Sequence, residues 1–124
     1  MAKSIFVIDD SATILMSVRN NLEIAGFIVE TAVDGLQALD KLKAGLKPDL
    51  IITDINMPEM NGLEFIQHTR ALTNFRFTPI LVLTTENQQS RRDEAKKLGA
   101  TGWLVKPMSG TELLKIIKQV LPGV

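Results

Sequence analysis

The chain has 124 residues, 45% of them hydrophobic, which suffices for one core and one ordinary domain. Its 14 basic residues balance 14 acidic ones, so no overall positive field argues for a nucleic-acid partner. Cysteine is absent, which excludes disulfides and thiol chemistry. The first apolar run is too short for a secretory leader or a membrane span, so a single cytoplasmic domain over residues 1–124 is expected, with no membrane partner.

Ser4–Ile8 is a short apolar run closed by Asp9-Asp10-Ser11, and it reads as a central strand. From Ala12 to Ala25, Ile14, Leu15, Val18, Leu22 and Ala25 recur at helical spacing, and Gly26 supplies the stop. Phe27–Ala32 is more mixed, with Glu30 and Thr31, as suits an edge strand. Asp34-Gly35 opens a second helix carried by Leu36, Leu39 and Leu42 and ended near Gly45. Leu50–Thr53 is a run of aliphatic residues leading straight into Asp54, followed by a turn at Met57-Pro58. Such a run reads as a buried strand.

Asn61 with Glu64 resembles a capping box opening a helix on Leu63, Ile66 and Leu72, and 73–78 is expected to be a loop. Ile80–Leu83 is another buried run, ending in Thr84. Asn87–Leu98 is a helix with only Ala95 and Leu98 on an apolar face. Trp103–Val105 forms the last strand and ends at Lys106-Pro107. Ser109 with Glu112 is a capping box proper, and Leu113, Leu114, Ile117, Val120 and Leu121 carry the final helix to Pro122.

Strand and helix alternate five times, which predicts an α/β protein with a parallel sheet covered on both faces and right-handed crossovers. The expected architecture is a flavodoxin-like (βα)5 three-layer sandwich. The strand order 2-1-3-4-5 is taken over from flavodoxin-like folds, where ligands bind at the carboxyl ends of the strands. It places the mixed Phe27–Ala32 run at an edge.

Asp9 and Asp10, Asp54, Thr84 and Lys106 end four of these strands and should converge on one crevice. Each alone is unremarkable, since strand-end acids often form turns or caps. Together they provide three mutually repelling carboxylates that call for a cation. The all-oxygen donor set favours a hard ion, and magnesium suits few carboxylates shared with a phosphate. With Lys106 and Thr84 beside it, Asp54 is placed as a nucleophile that accepts a phosphoryl group.

Val7-Ile8-Asp9-Asp10-Ser11, Asp54-Ile55-Asn56-Met57-Pro58 with Asn61-Gly62, Thr84-Thr85-Glu86 and Gly99-Ala100-Thr101-Gly102-Trp103-Leu104-Val105-Lys106-Pro107 carry a further signal. Together they resemble response-regulator receiver domains, most narrowly the CheY-like chemotaxis members, over the whole chain. The resemblance implies that Asp54 is phosphorylated. It makes Asp10, Asp54 and the Asn56 carbonyl magnesium ligands, with Asp9 holding the metal largely through water. It implies that Lys106 contacts the phosphoryl group and that Lys106-Pro107 resembles a bond commonly cis. Thr84 and Trp103 match the switch pair, and Asn56 and Glu86 match positions that tune self-dephosphorylation. The moving surface would lie around the fourth helix, last strand and fifth helix. Two departures stand out: Trp103 replaces the usual Tyr or Phe, and Thr85 stands where a smaller residue is common.

The implied protein is a stand-alone signalling switch without an output domain, rather than an enzyme, and a monomer. Its donor would be a CheA-like histidine kinase and its target the flagellar motor switch, with a phosphatase as a further partner. A phosphate sink or a phosphorelay intermediate is the alternative within the family. A magnesium-dependent phosphohydrolase would want a general acid where Asn56 stands. A flavodoxin-like cofactor binder would want a Gly/Ser/Thr-rich loop where Asp9-Asp10 stand. Met57, Met60 and Met108 are expected to pack at the rim or in the core, and His68 to be solvated.

Overall fold

A computed structural model describes residues 2–121. In chain order the elements are β1 (Ser4–Ile8), α1 (Ala12–Ile24), β2 (Ile28–Ala32), α2 (Gly35–Lys43), β3 (Leu50–Thr53), α3 (Gly62–Ala71), a short 3-10 turn (Thr73–Phe75), β4 (Ile80–Thr84), α4 (Gln89–Leu98), β5 (Gly102–Val105) and α5 (Gly110–Val120). The five strands form one parallel sheet in the order β2-β1-β3-β4-β5. The expected architecture and strand order therefore hold, with the mixed β2 at one edge.

Successive residues of a strand face opposite sides of the sheet, so an unbroken apolar run fills two cores. Phe6, Ile8, Ile51, Ile80 and Val82 pack against α2, α3 and Ala95 of α4. Ile5, Val7, Leu50, Ile52, Leu81 and Leu83 pack against Leu15, Val18 and Leu22 of α1 and Leu113 and Ile117 of α5. The result is three layers, with α1 and α5 on one face and α2, α3 and α4 on the other.

Several local expectations are revised. Ala25 is the exposed C-cap of α1 rather than part of its buried stripe. Leu36 is 45% exposed, and Ala38 is buried in the core beside Leu39 and Leu42 instead, because the buried stripe of α2 runs through positions 35, 38, 39 and 42. The segment 73–78 is not wholly irregular: the 3-10 turn buries Phe75. The fourth helix starts at Gln89, two residues later than its sequence suggests. The caps also exchange rank. Asn61 and Glu64 form the reciprocal box, with Glu64 N–H donating to Asn61 Oδ1 (2.9 Å) and Asn61 N–H to Glu64 Oε1 (3.2 Å). At α5 the Glu112 carboxylate instead accepts from the Ser109 hydroxyl at 3.1 Å. The expected helix end at Pro122 lies outside the described residues.

Candidate functional site

Asp9, Asp54 and Lys106 are each the first residue past the end of a strand, and each is still pinned by one strand-to-strand hydrogen bond. Asp9 N–H donates to Ala32 O (3.1 Å), Asp54 N–H to Ile8 O (2.9 Å) and Lys106 N–H to Thr84 O (2.8 Å). The backbone therefore holds these three side chains at the carboxyl edge as rigidly as it holds the sheet. The Lys106-Pro107 bond is cis, as the resemblance implied.

Carboxylate oxygens of Asp9, Asp10 and Asp54 all lie within 4.8 Å of one another. Asp9 and Asp54 are buried, at 3% and 8% exposure, while Asp10 is open to solvent. Lys106 Nζ stands between the buried pair, 2.6 Å from Asp9 Oδ2 and 3.0 Å from Asp54 Oδ2. The other oxygens are held by backbone: Asp9 Oδ1 accepts from Ser11 N–H (2.9 Å), and Asp54 Oδ1 from Ile55 N–H (2.6 Å) and, more weakly, Asn56 N–H (3.4 Å). Burial raises the Asp9 carboxyl above its ordinary value, against the pull of the Lys106 and Ser11 hydrogen bonds. Burial alone would depress the Lys106 ammonium, but hydrogen bonding and attraction from Asp9 and Asp54 outweigh it and hold this lysine above the ordinary range.

Three carboxylates against one ammonium leave the crevice short of positive charge. The all-oxygen donors, with Asp10 open to water, fit a hydrated hard cation such as magnesium. Asp9, Asp10 and Asp54 are the side chains that could hold it. Asn56 is exposed beside them, so its carbonyl remains a proposed ligand rather than an assembled one.

Thr84 is fully buried at the end of β4, and its hydroxyl accepts from Glu86 N–H at 3.2 Å. Among the described residues it makes no hydrogen bond to the acidic cluster. Trp103 is partly buried against the core, and its indole N–H donates to Glu86 O at 3.1 Å. Thr84 and Trp103 thus grip the same residue from two sides. Thr85 is exposed beside them. Met57 and Met60 pack against one core and Met108 against the other, and His68 is exposed.

Sequence reasoning counted Gly62 only among the residues that carry the resemblance and passed over Arg70. Gly62 lets α3 approach the Asp54 backbone: an added Cβ would clash with Asp54 O. Arg70 follows Leu63 and Ile66 at the next position of the same helical stripe, where a charged residue is out of place.

A doubly wound α/β domain with an acidic cluster and a lysine at its strand ends defines a class of phosphoacceptor modules. The response regulator receiver domain profile matches residues 5–118, and the chain belongs to that family. Chemotaxis protein CheY1 of Helicobacter pylori is 36% identical over 118 residues, 94% of this chain and 95% of that protein. The transcriptional regulatory protein PrrA of Mycobacterium tuberculosis is 36% identical over 117 residues, 94% of this chain but 49% of PrrA. The solved structure of the chemotaxis response regulator CheY4 of Vibrio cholerae has a TM-score of 0.92 and 45% identity, covering 98% of this chain and all of that one. No helix among the described residues is long and apolar enough to cross a membrane.

Proposed function

We propose that this receiver domain takes a phosphoryl group from a histidine kinase onto Asp54 and changes its surface for a downstream partner in chemotaxis. The observation that carries the reading is the crevice itself: Asp9, Asp10 and Asp54 within 4.8 Å of one another, with the Lys106 ammonium seated between the two buried acids. An Asp54 carboxylate oxygen attacks phosphorus, the P–O bond forms as the P–N bond to the donor imidazole breaks, and the imidazole takes up a proton. Asp9, Asp10 and Asp54 would hold magnesium, which would supply positive charge for the phosphoryl oxygens. Lys106 neutralises a further oxygen, and the Thr84 hydroxyl turns from Glu86 to donate to it. Because the phosphoryl group favours one position of Thr84 over another, it biases a two-state equilibrium of the Glu86 loop and α4.

The protein acts as a cytoplasmic switch and not as a turnover enzyme; the similarity to CheY1 and CheY4 over nearly their whole length supports a CheA-like donor and a motor target. The resemblance supports a role for Asn56 and Glu86 in guiding the water that removes the phosphoryl group.

The test adds acetyl phosphate and magnesium to wild type and Asp54→Asn, with intact mass and Trp103 fluorescence as readouts. Wild type gains one phosphoryl mass with a fluorescence change, and Asp54→Asn gains neither. Uptake retained in Asp54→Asn rejects the assignment of the acceptor, and no uptake in wild type rejects the function.

A further inference from the structure

The helix α4 is tied to the fold unequally at its two ends. Its N-cap, Gln88, gives the first turn no side-chain hydrogen bond, and Ala95 is its only buried residue. Its link to β4 runs through Glu86, whose N–H is held by the Thr84 hydroxyl and whose carbonyl is held by Trp103. The Thr84 bond is between neutral groups, and it is lost when that hydroxyl turns elsewhere.

The other end is closed by a charge. Gly99 takes the left-handed conformation (φ +111°), and its N–H and that of Ala100 cap the last turn through Ala95 and Lys96 carbonyls. Arg70 of α3 lies over this turn. Its Nε and Nη2 donate to Gly99 O (3.1 and 2.8 Å), and its Nη1 donates to Phe75 O (2.6 Å) and Thr78 O (2.7 Å). One rigid guanidinium therefore joins α3, the loop before β4 and the end of α4. The contact is close enough that a Cβ on Gly99 would stand 2.9 Å from Arg70 Nε and 3.0 Å from its Cγ. Burial lowers the pKa of this guanidinium, which stays cationic at neutral pH. Among the described residues no carboxylate pairs with it, so its charge is spent on carbonyls, one of them at the negative end of the helix dipole. Such charge-assisted bonds are roughly twice as strong as neutral ones.

Between α4 and β5 lies a cavity of about 370 Å³, lined by Gln89, Arg92, Lys96, Gly102 and Trp103 among others. It leaves open space beside the helix from Gln89 to Lys96, while Ala95 keeps its place in the core. We propose that Arg70 and Gly99 form a fixed pivot about which the N-terminal end of α4 swings when Thr84 changes partner, so that Arg70 is a positioning residue of the switch. At about 1.5 Å rise per residue the helix is roughly 15 Å long, and a tilt of about ten degrees moves its far end by about 2.5 Å. The pivot converts the turn of one hydroxyl into a displacement graded along α4. It rests on the phosphoryl-switch reading above.

Hydrogen exchange of wild type, Arg70→Met and Arg70→Lys, at rest and with acetyl phosphate plus magnesium, tests the pivot, with intact mass recorded in parallel. In resting wild type, amides of 94–101 exchange slower than those of 87–92 by on the order of tenfold or more. The phosphodonor alters 87–92 and leaves 94–101 unchanged. Arg70→Met, which keeps the stem and removes the fork, loses the protection at 94–101, and its whole helix responds to the phosphodonor. Arg70→Lys restores only part of that protection, because one ammonium cannot span three carbonyls. A phosphodonor response in wild type as large at 94–101 as at 87–92 overturns the pivot, and so does a gradient that survives in Arg70→Met. If the mass shows no phosphoryl group, the functional reading fails, and the pivot stands or falls on the resting gradient and its loss in Arg70→Met.

Discussion

Replacing Lys106 by methionine keeps most of the side chain's length and removes its charge. The ammonium lies 2.6 Å from Asp9 and 3.0 Å from Asp54, and the side chains of the three residues are 12%, 5% and 10% exposed. Without it, two nearly buried carboxylates face each other with no cation, a change that costs about 3–5 kcal/mol in buried pairs. Asp10 opens one side of the cluster to water, so the lower end, about 3 kcal/mol, is expected here. That is a large part of the stability of a domain this size. Asp9 loses the contributions from Lys106 that lower its pKa, so its carboxyl moves further above the ordinary 3.8. A folded-state pKa above the unfolded one means that the folded protein binds more protons, so stability falls as pH rises through that window. The deficit of the variant is therefore largest at neutral pH and shrinks on acidification.

Magnesium should repair the same deficit. At about a hundredfold excess over its Kd, a ligand adds about 2.7 kcal/mol to the folded state. Wild type gains less than the variant, because there the metal competes with Lys106 for Asp9 and Asp54. Urea unfolding of both proteins, with EDTA and with saturating magnesium, measures all four stabilities. A metal-free variant as stable as wild type, or equal magnesium gains in the two proteins, would refute this account of the charge balance.

Thr69 is fully buried and its hydroxyl oxygen has no hydrogen-bond partner among the described residues. Thr69→Val should therefore raise stability by about 1 kcal/mol, the lower end of the desolvation cost of an unpaired group; an unchanged or lower urea midpoint would show that the hydroxyl is satisfied in solution. Gly62→Ala should lose about 1–3 kcal/mol by overpacking, since the new Cβ would clash with Asp54 O and meet Ile55 Cα at 2.8 Å. It should also slow phosphoryl uptake, and uptake at the wild-type rate would remove Gly62 from the positioning of Asp54. Substituting Asn56 or Glu86 by alanine should change the lifetime of the phosphoryl group more than the affinity for magnesium, as read by mass decay and by metal titration; an unaltered lifetime ends their proposed role.

The sheet was legible because β1, β3 and β4 are apolar runs with a polar stop at the carboxyl end, and their burial on both faces demands that composition, while β5 is a shorter apolar run at the partly buried edge. The acidic cluster was legible for the same reason: the stop residues are the ones that a parallel sheet gathers at one edge. Less visible were features that depend on which partner lies opposite. Leu36 and Ala38 both satisfy the helical pattern of α2, and only the way the helix is turned on the sheet buries the alanine and exposes the leucine. Ser109 and Asn61 both precede a glutamate by three residues, yet the reciprocal bond forms only at Asn61, because Glu112 takes the serine hydroxyl instead. Arg70 could have been flagged as a charge on an apolar stripe, but its partners are backbone carbonyls, two in the segment after α3 and one at Gly99 beyond α4, and no side-chain pattern announces them.

The charge imbalance of the crevice and the asymmetry of α4 bear on the same event. Before phosphorylation Lys106 is shared between Asp9 and Asp54, and Thr84 is engaged with Glu86. In the proposed switch a phosphoryl group on Asp54 would add negative charge to a site that already holds three carboxylates and one ammonium. Two side chains in the proposed switch can answer it, Lys106 by turning from Asp9 and Thr84 by leaving Glu86. Lys106 is pinned at its backbone to β4 and can move only its side chain. In that switch the release of Glu86 by Thr84 is the step through which the backbone can yield, and it falls at the end of α4 that is tied to the fold through Glu86. Trp103, which keeps its hold on the Glu86 carbonyl, then sets how far that loop travels before the indole must follow it.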